Sequence, residues 1–121
     1  MSLSLDISRT KDIAVIQCRG RIVFGEETDE LRRVLLGLLN ETQRIVLVLA
    51  SIQQIDSSGL GMLVASFISA RHREAEIKFA APSASTRQLF TLTHLNRLFR
   101  IYASAEEAIT SFYLHPKAAA G

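Results

Sequence analysis

Residues 44–63 read RIVLVLASIQQIDSSGLGML. The opening run, Arg44 to Ala50, contains the nearly continuous aliphatic stretch IVLVLA. Such a run suits a central strand buried on both faces of a sheet. Ser51 to Asp56 reads as a connection, and a helix begins within IDSSGLGML and extends to about Arg73. Leu60, Leu63, Val64, Phe67 and Ile68 recur at helical spacing and form its expected buried stripe. A buried strand followed by a helix with one apolar stripe is the repeating unit of an open α/β sheet.

The flanking sequence continues the alternation. Leu3, Leu5 and Ile7 alternate with Ser4, Asp6 and Ser8, the period of a strand with one buried face. Arg9 to Asp12 is a polar turn, and Ile13 to Cys18 is a second strand joined to the first as a hairpin. Gly20 and Gly25 bracket Arg21 to Phe24, a short extended link. Glu26 to Asn40 reads as a helix, with acids in its first turn and Asn40 as its stop. Leu31, Val34, Leu35 and Leu38 make its apolar stripe.

On the other side, Ile77 to Ala81 is a short strand that Pro82 blocks from extending. Ser85 to His94 is a helix opened by a Ser85–Gln88 capping box, with Leu89, Leu92 and Thr93 facing inward. Leu98 to Tyr102 is a last short strand. Ser104 and Glu107 repeat the capping spacing ahead of a helix over Ala105 to about Leu114. The order β-β-α-β-α-β-α-β-α predicts one domain over residues 1–121. Its core spans about 3–114, and 115–121, with Pro116 and KAAAG, is a flexible tail. The fold class is α/β, an open mixed β-sheet with about four helices packed against it. Right-handed crossovers bring loop 51–58 to the edge where the central strands end.

Composition narrows the function classes. A chain of 121 residues encloses one core that buries roughly two-thirds of its unfolded surface. Its formal net charge is only +2, so a solvated mixed-charge surface is expected and no nucleic acid partner. The cluster Arg71, His72 and Arg73 reads as a helix end that complements the dipole. The single cysteine, Cys18, lies in an apolar run and reads as a small buried hydrophobe in a reducing compartment. No stretch approaches the about 20 apolar residues of a membrane span, and the N-terminus lacks a signal-peptide pattern. A cytoplasmic, soluble protein is expected, with no membrane association. His72, His94 and His115 are scattered, so no metal site and no cofactor is expected.

The chemistry is concentrated in IDSSGLGML, residues 55–63. Asp56, Ser57 and Ser58 can cap the helix that starts there, because their oxygens accept from orphan backbone donors. Gly59 and Gly61 then let the helix approach the sheet closely. A cap needs only one such side chain, however, and each helix glycine costs about 1 kcal/mol relative to alanine. A partner surface or a phosphate at the helix start accounts for the surplus. Catalytic readings fit poorly. The nucleophile elbow needs glycine two positions before its serine, where Ile55 and Asp56 stand. Val64 stands where a dinucleotide fingerprint has its third glycine. No Walker phosphate loop exists. The chain is therefore read as a binding module and not an enzyme. Met62 reads as core, and Leu60 as a candidate contact.

In that context IDSSGLGML after IVLVLA resembles the STAS domain of bacterial anti-sigma factor antagonists. The likeness includes the strand pair ending at Gly20 and the closing segment THLNRLFRIYASAEEAI, residues 93–109. It covers about residues 3 to 114 and implies the STAS fold. It also implies a switch: the serine after the aspartate is phosphorylated by an anti-sigma factor with serine kinase activity. Unphosphorylated, the antagonist sequesters that anti-sigma factor and frees a sigma factor for transcription. A phosphoserine phosphatase resets it. By position, Ser57 is the implied acceptor, with Ser58 the second choice. Asp56, Ser57, Ser58, Gly59, Leu60 and Gly61 are the implied partner-binding residues. A monomer or a weak homodimer is expected, a choice that the sequence leaves open. The chain departs from the family where an acid or amide often ends the central strand, at Ala50 and Ser51. The alternative is a non-switching STAS scaffold subunit of a lipid-transport or stress-signalling complex, in which the serines are caps. A third reading, nucleotide binding by the domain itself, rests on the anion-friendly helix start alone.

Overall fold

A computed structural model describes residues 3–114. β1 (Leu3–Thr10) and β2 (Ile13–Ile22) form an antiparallel hairpin closed by Lys11 and Asp12. Lys11 adopts a left-handed backbone, φ 56°, as tight hairpin turns require. There follow α1 (Glu26–Leu38), β3 (Arg44–Ile55), α2 (Ser57–His72), β4 (Glu76–Ala80) and α3 (Ala84–Leu92). A short 3-10 turn (Leu95–Arg97), β5 (Ile101–Tyr102) and α4 (Ala105–Leu114) complete the fold. The five strands make one mixed sheet in the order β1-β2-β3-β4-β5, parallel from β2 onward. This is the element order and the mixed α/β architecture that the sequence predicts.

The aliphatic run of β3 is explained by two cores. Ile45, Leu47 and Leu49 point into the larger one, together with buried side chains of α1, α2 and α3. Val46 and Val48 point the opposite way, against Ala108 and Phe112 of α4. The larger core is keyed by aromatic rings: Phe79 stacks on Phe99 at 4.2 Å between centroids, and Phe90 meets Phe99 edge-on at 5.4 Å. In the smaller core Lys78 is buried, donates to Ser111 Oγ at 2.6 Å and lies over the Phe112 ring. Cys18 is 1% exposed, and burial pushes its thiol pKa up to about 12. A thiol held protonated in this way is a packing residue and not a nucleophile.

Several local expectations are corrected. Residues 51–55 are not a connection, because β3 continues to Ile55 in parallel pairing with β2 up to Ile22. Ser51, Gln53 and Gln54 are only its exposed positions, while Ile52 and Ile55 are buried. Arg21 and Ile22 likewise belong to β2 and not to a link. Helix α1 stops at Leu38, just short of Asn40.

Helix α2 is rotated relative to the expected stripe. It buries Gly59, Met62, Leu63, Ser66, Phe67 and Ala70, whereas Ile68 is 43% exposed and Leu60 and Val64 are only partly covered. The small residues Gly59, Ser66 and Ala70 let the helix approach the sheet on that side. In α3 the cap is Ser83, not Ser85: Ser83 Oγ accepts from Thr86 N and donates to Ile52 O of β3 at 3.1 Å. That tether fixes the helix so that Thr86 and Phe90 turn inward and Leu92 is 70% exposed. The last strand is only Ile101–Tyr102, because the preceding residues wind into the 3-10 turn. Ser104 caps α4 as expected, accepting from Glu107 N at 3.1 Å. The tail expected over 115–121 lies outside the described residues.

Candidate docking and modification site

β2 and β3 end side by side, with Ile22 paired to Ile55. α2 starts two residues later, at Ser57. The site therefore forms where the end of β3, the start of α2 and the β2–α1 link converge. Such a place, beyond the C-terminal ends of parallel strands, is where open α/β sheets usually bind ligands.

Asp56 organises it. Its backbone is extended (φ −94°), as a helix cap requires. One carboxylate oxygen, Oδ1, accepts from Gly59 N at 2.8 Å. The other, Oδ2, accepts from Phe24 N at 2.9 Å. The Phe24 backbone N–H first, and then that of Gly59, hold the carboxyl below its ordinary pKa of 3.8. Asp56 thus caps α2 and pins the β2–α1 link to it. That link is shaped by Gly25, at φ 145°, a region essentially closed to other residues. Buried Thr28 secures it by donating its hydroxyl to Val23 O.

A test of this role follows from the direction of the shift. The folded-state pKa is depressed, so the stabilisation is complete above the unfolded carboxyl pKa and is lost as pH falls through the folded value. Asp56→Ala should lower the melting temperature at pH 7 by roughly 4–8 °C, the size of a lost helix cap in a small domain. The gap to wild type should shrink in acid as the wild-type carboxyl protonates. A gap that is unchanged from pH 7 into acid would remove the charged cap from the account.

Because Asp56 does the capping, the neighbouring hydroxyls have no structural duty. Ser57 and Ser58 are both exposed, and neither side chain enters a hydrogen bond among the described residues. The two glycines differ sharply. A Cβ on Gly59 would lie 2.0 Å from the carbonyl oxygen of Ile22. A Cβ on Gly61 would meet nothing within 4 Å. Gly59 is therefore a packing residue, and Gly61 keeps open an exposed surface. Leu60 is half-buried, and its N–H makes the first helical bond, to Asp56 O at 2.8 Å.

Thus the motif residues lie together but present different faces: Ser57, Ser58 and Gly61 outward, Gly59 inward. The sequence reading passed over Phe24, which is 82% exposed and whose N–H is held by Asp56. The available signal was an aromatic residue directly before a glycine, in a link that parallel pairing must bring beside the motif. It also passed over an open groove of about 550 Å³ running from Ser57 along Leu60, Val64 and Ile68 to Leu95. That groove is the outward side of the stripe expected to be buried.

Among the described residues no helix is long and apolar enough to cross a membrane. The fold is shared with solved proteins. An anti-sigma factor antagonist from Mycobacterium paratuberculosis superposes with a TM-score of 0.78 at 20% identity, over 91% of this chain and 93% of that one. The anti-sigma factor antagonist SpoIIAA in its unphosphorylated form gives 0.73 at 19% identity, over 88% and 93%. The Bacillus cell fate determinant SpoIIAA in its phosphorylated form gives 0.71 at 19% identity, over 88% and 97%. At these identities the likeness is one of fold. The STAS domain family model matches residues 4–108. With the match extending over nearly all of the described fold, this chain belongs to the STAS domain family.

Proposed function

We propose that this chain is a phosphorylation-switched binding module of the anti-sigma factor antagonist type. Unphosphorylated, it sequesters an anti-sigma factor that is also a serine kinase, and so frees a sigma factor. The kinase modifies Ser57, and a phosphoserine phosphatase restores the binding form. The observation that carries this reading is the division of labour at the start of α2. Asp56 supplies the cap, so the exposed Ser57 hydroxyl can be esterified without unmaking a hydrogen bond of the fold. A phosphate there adds about −1.5 to −2 charges and three acceptor oxygens to the surface. It changes the field seen by a partner while the core beneath is untouched.

The partner-binding residues on this reading are Asp56, Ser57, Ser58, Leu60 and Gly61, with Phe24 added. Gly59 contributes by setting the height of the helix, not by contact. The fold neighbours support the reading, since one of them is described in both unphosphorylated and phosphorylated forms. The test is to incubate the protein with ATP and each ATP-binding anti-sigma kinase of its own genome. Mass spectrometry should find one phosphate on Ser57, absent from Ser57→Ala and retained by Ser58→Ala. If the phosphate falls elsewhere, or none of those kinases adds it while a transporter ATPase co-purifies instead, the switch reading fails.

A further inference from the structure

The sheet has two outer edges, and they are not alike. One is β5, only Ile101–Tyr102, too short to offer much to pair with. The other is β1, eight residues long, with β2 on one side and no strand on the other among the described residues. Its pairing with β2 runs residue for residue from Leu3 to Thr10, without a bulge. It contains no proline and no lysine. The devices that normally blunt a free edge are therefore missing, and a row of backbone N–H and C=O groups faces outward.

The side chains of β1 sort by face. Leu3, Leu5 and Ile7 turn toward α1, where Leu3 and Leu5 are only partly buried and Ile7 is 43% exposed. With Glu27, Glu30 and Val34 they line an open groove of about 320 Å³ along the edge, in which Glu30 already pairs with Arg33 at 2.7 Å. Ser4, Asp6 and Ser8 turn to the opposite face and are exposed.

Free backbone groups along an edge call for a strand, and the order of these side chains selects which one. Two copies of β1 can pair antiparallel about a two-fold axis normal to the sheet, which keeps like faces together. With the axis at Leu5, the two Leu5 side chains meet, and each Leu3 meets Ile7 of the second copy. Each Ser4 hydroxyl stands opposite an Asp6 carboxylate to which it can donate. Moving the axis to Asp6 sets two carboxylates face to face, a destabilising pair. Moving it to Ile7 sets Arg9 against Leu5, and moving it to Ser4 shortens the described pairing to Leu3–Leu5. The chain's own residues 115–121, HPKAAAG, hold no large apolar side chain with which to fill the groove.

We propose that the β1 edge is a homodimer interface, in which β1 of a second copy pairs antiparallel with it, centred on Leu5, and the two sheets become one. The inference goes beyond the switch reading and does not rest on it. The two-fold turns the two Ser57 sites to opposite ends of the joined sheet, so the dimer leaves both open to partners. Five paired residues span about 17 Å. An interface of that length belongs to the small class, under about 1,200 Å², with an expected dissociation constant between about 1 μM and 1 mM.

Sedimentation velocity of the full chain from about 10 μM to 1 mM should show the average mass rising toward that of two chains. Ile7→Lys puts a charge against Leu3 of the second copy and should weaken the association at least tenfold, roughly, with the fold intact by circular dichroism. Ile68→Lys, equally exposed but on α2, should leave it unchanged. The register has its own readout. When Ser4→Cys and Asp6→Cys proteins are mixed under mild oxidation, they should cross-link to each other at least about fivefold faster than either does to itself, because like positions are diagonal neighbours. Cys18, 1% exposed, does not compete. A mass that stays at one chain throughout, a dimer that survives Ile7→Lys or is lost in Ile68→Lys, or self-linking as fast as mixed linking would overturn the proposal. So would association that appears only after residues 115–121 are removed, which would seat the tail on the edge.

Discussion

Gly59→Ala should destabilise the protein by about 3 kcal/mol or more, at the upper end of what overpacking a tight contact costs. The added Cβ would stand 2.0 Å from the Ile22 carbonyl oxygen and 2.8 Å from its carbon. Both are backbone atoms at the end of a paired strand, so no side-chain rotation relieves the clash. Either α2 lifts away from β2 or the Ile22–Ile55 pairing opens. Each movement also disturbs the two hydrogen bonds of Asp56, which tie Phe24 to the helix start. The damage should therefore reach function, with partner binding falling even in molecules that remain folded. Gly61→Ala is the matched control. Its Cβ meets nothing, so the helix should gain up to about 1 kcal/mol from better propensity. Urea denaturation of the two variants beside wild type checks both signs. Equal and small shifts would mean that the approach of α2 to β2 is not constrained at Gly59.

The same pair of glycines shows how far the sequence could be read. The alternation of IVLVLA with helical stripes was enough for the element order, the parallel core of the sheet and the helix start at IDSSGLGML. Two glycines at that start pointed to close approach or to an open surface, and the structure assigns one reason to each. Sequence spacing alone could not do so, because the rotation of α2 depends on which residue meets Ile22, a contact thirty-odd positions distant in the chain. With five apolar residues spread over both sides of the helix, periodicity chose Leu60, Val64 and Ile68 for the core. Small residues at Gly59, Ser66 and Ala70 decided otherwise. Similarly, Ser85–Gln88 had the spacing of a cap, but Ser83 wins because its hydroxyl can also reach Ile52 O on β3. Phe24 was hidden because its importance comes from tertiary placement: parallel pairing sets the β2 end against Asp56.

Phosphorylation of Ser57 should separate affinity from stability, and this is the second large effect expected. Binding to the anti-sigma kinase should weaken by roughly 30-fold or more, since like-charge contacts and unpaired buried charge in an interface cost several kcal/mol. The melting temperature should move by no more than roughly 4–8 °C, because anions at a helix N-terminus gain only 0.3–1 kcal/mol. Two opposed contributions keep that shift small. The free N–H groups at the start of α2 attract the phosphate, while the ionised Asp56 next to it repels it. Asp56 is held ionised by Phe24 N and Gly59 N, so it does not yield its charge to accommodate the neighbour. A partner must then meet three negative charges or nearly so where it formerly met one. Ser57→Asp adds a single charge and should reproduce the direction with a smaller loss. Calorimetric titration of the kinase with unmodified, phosphorylated and Ser57→Asp protein, beside their thermal melts, measures both quantities. Undiminished affinity in the phosphorylated form would refute the switch. A phosphorylated protein that melts many degrees lower would instead make it an unfolding device, for which an Asp56 cap independent of Ser57 leaves no mechanism.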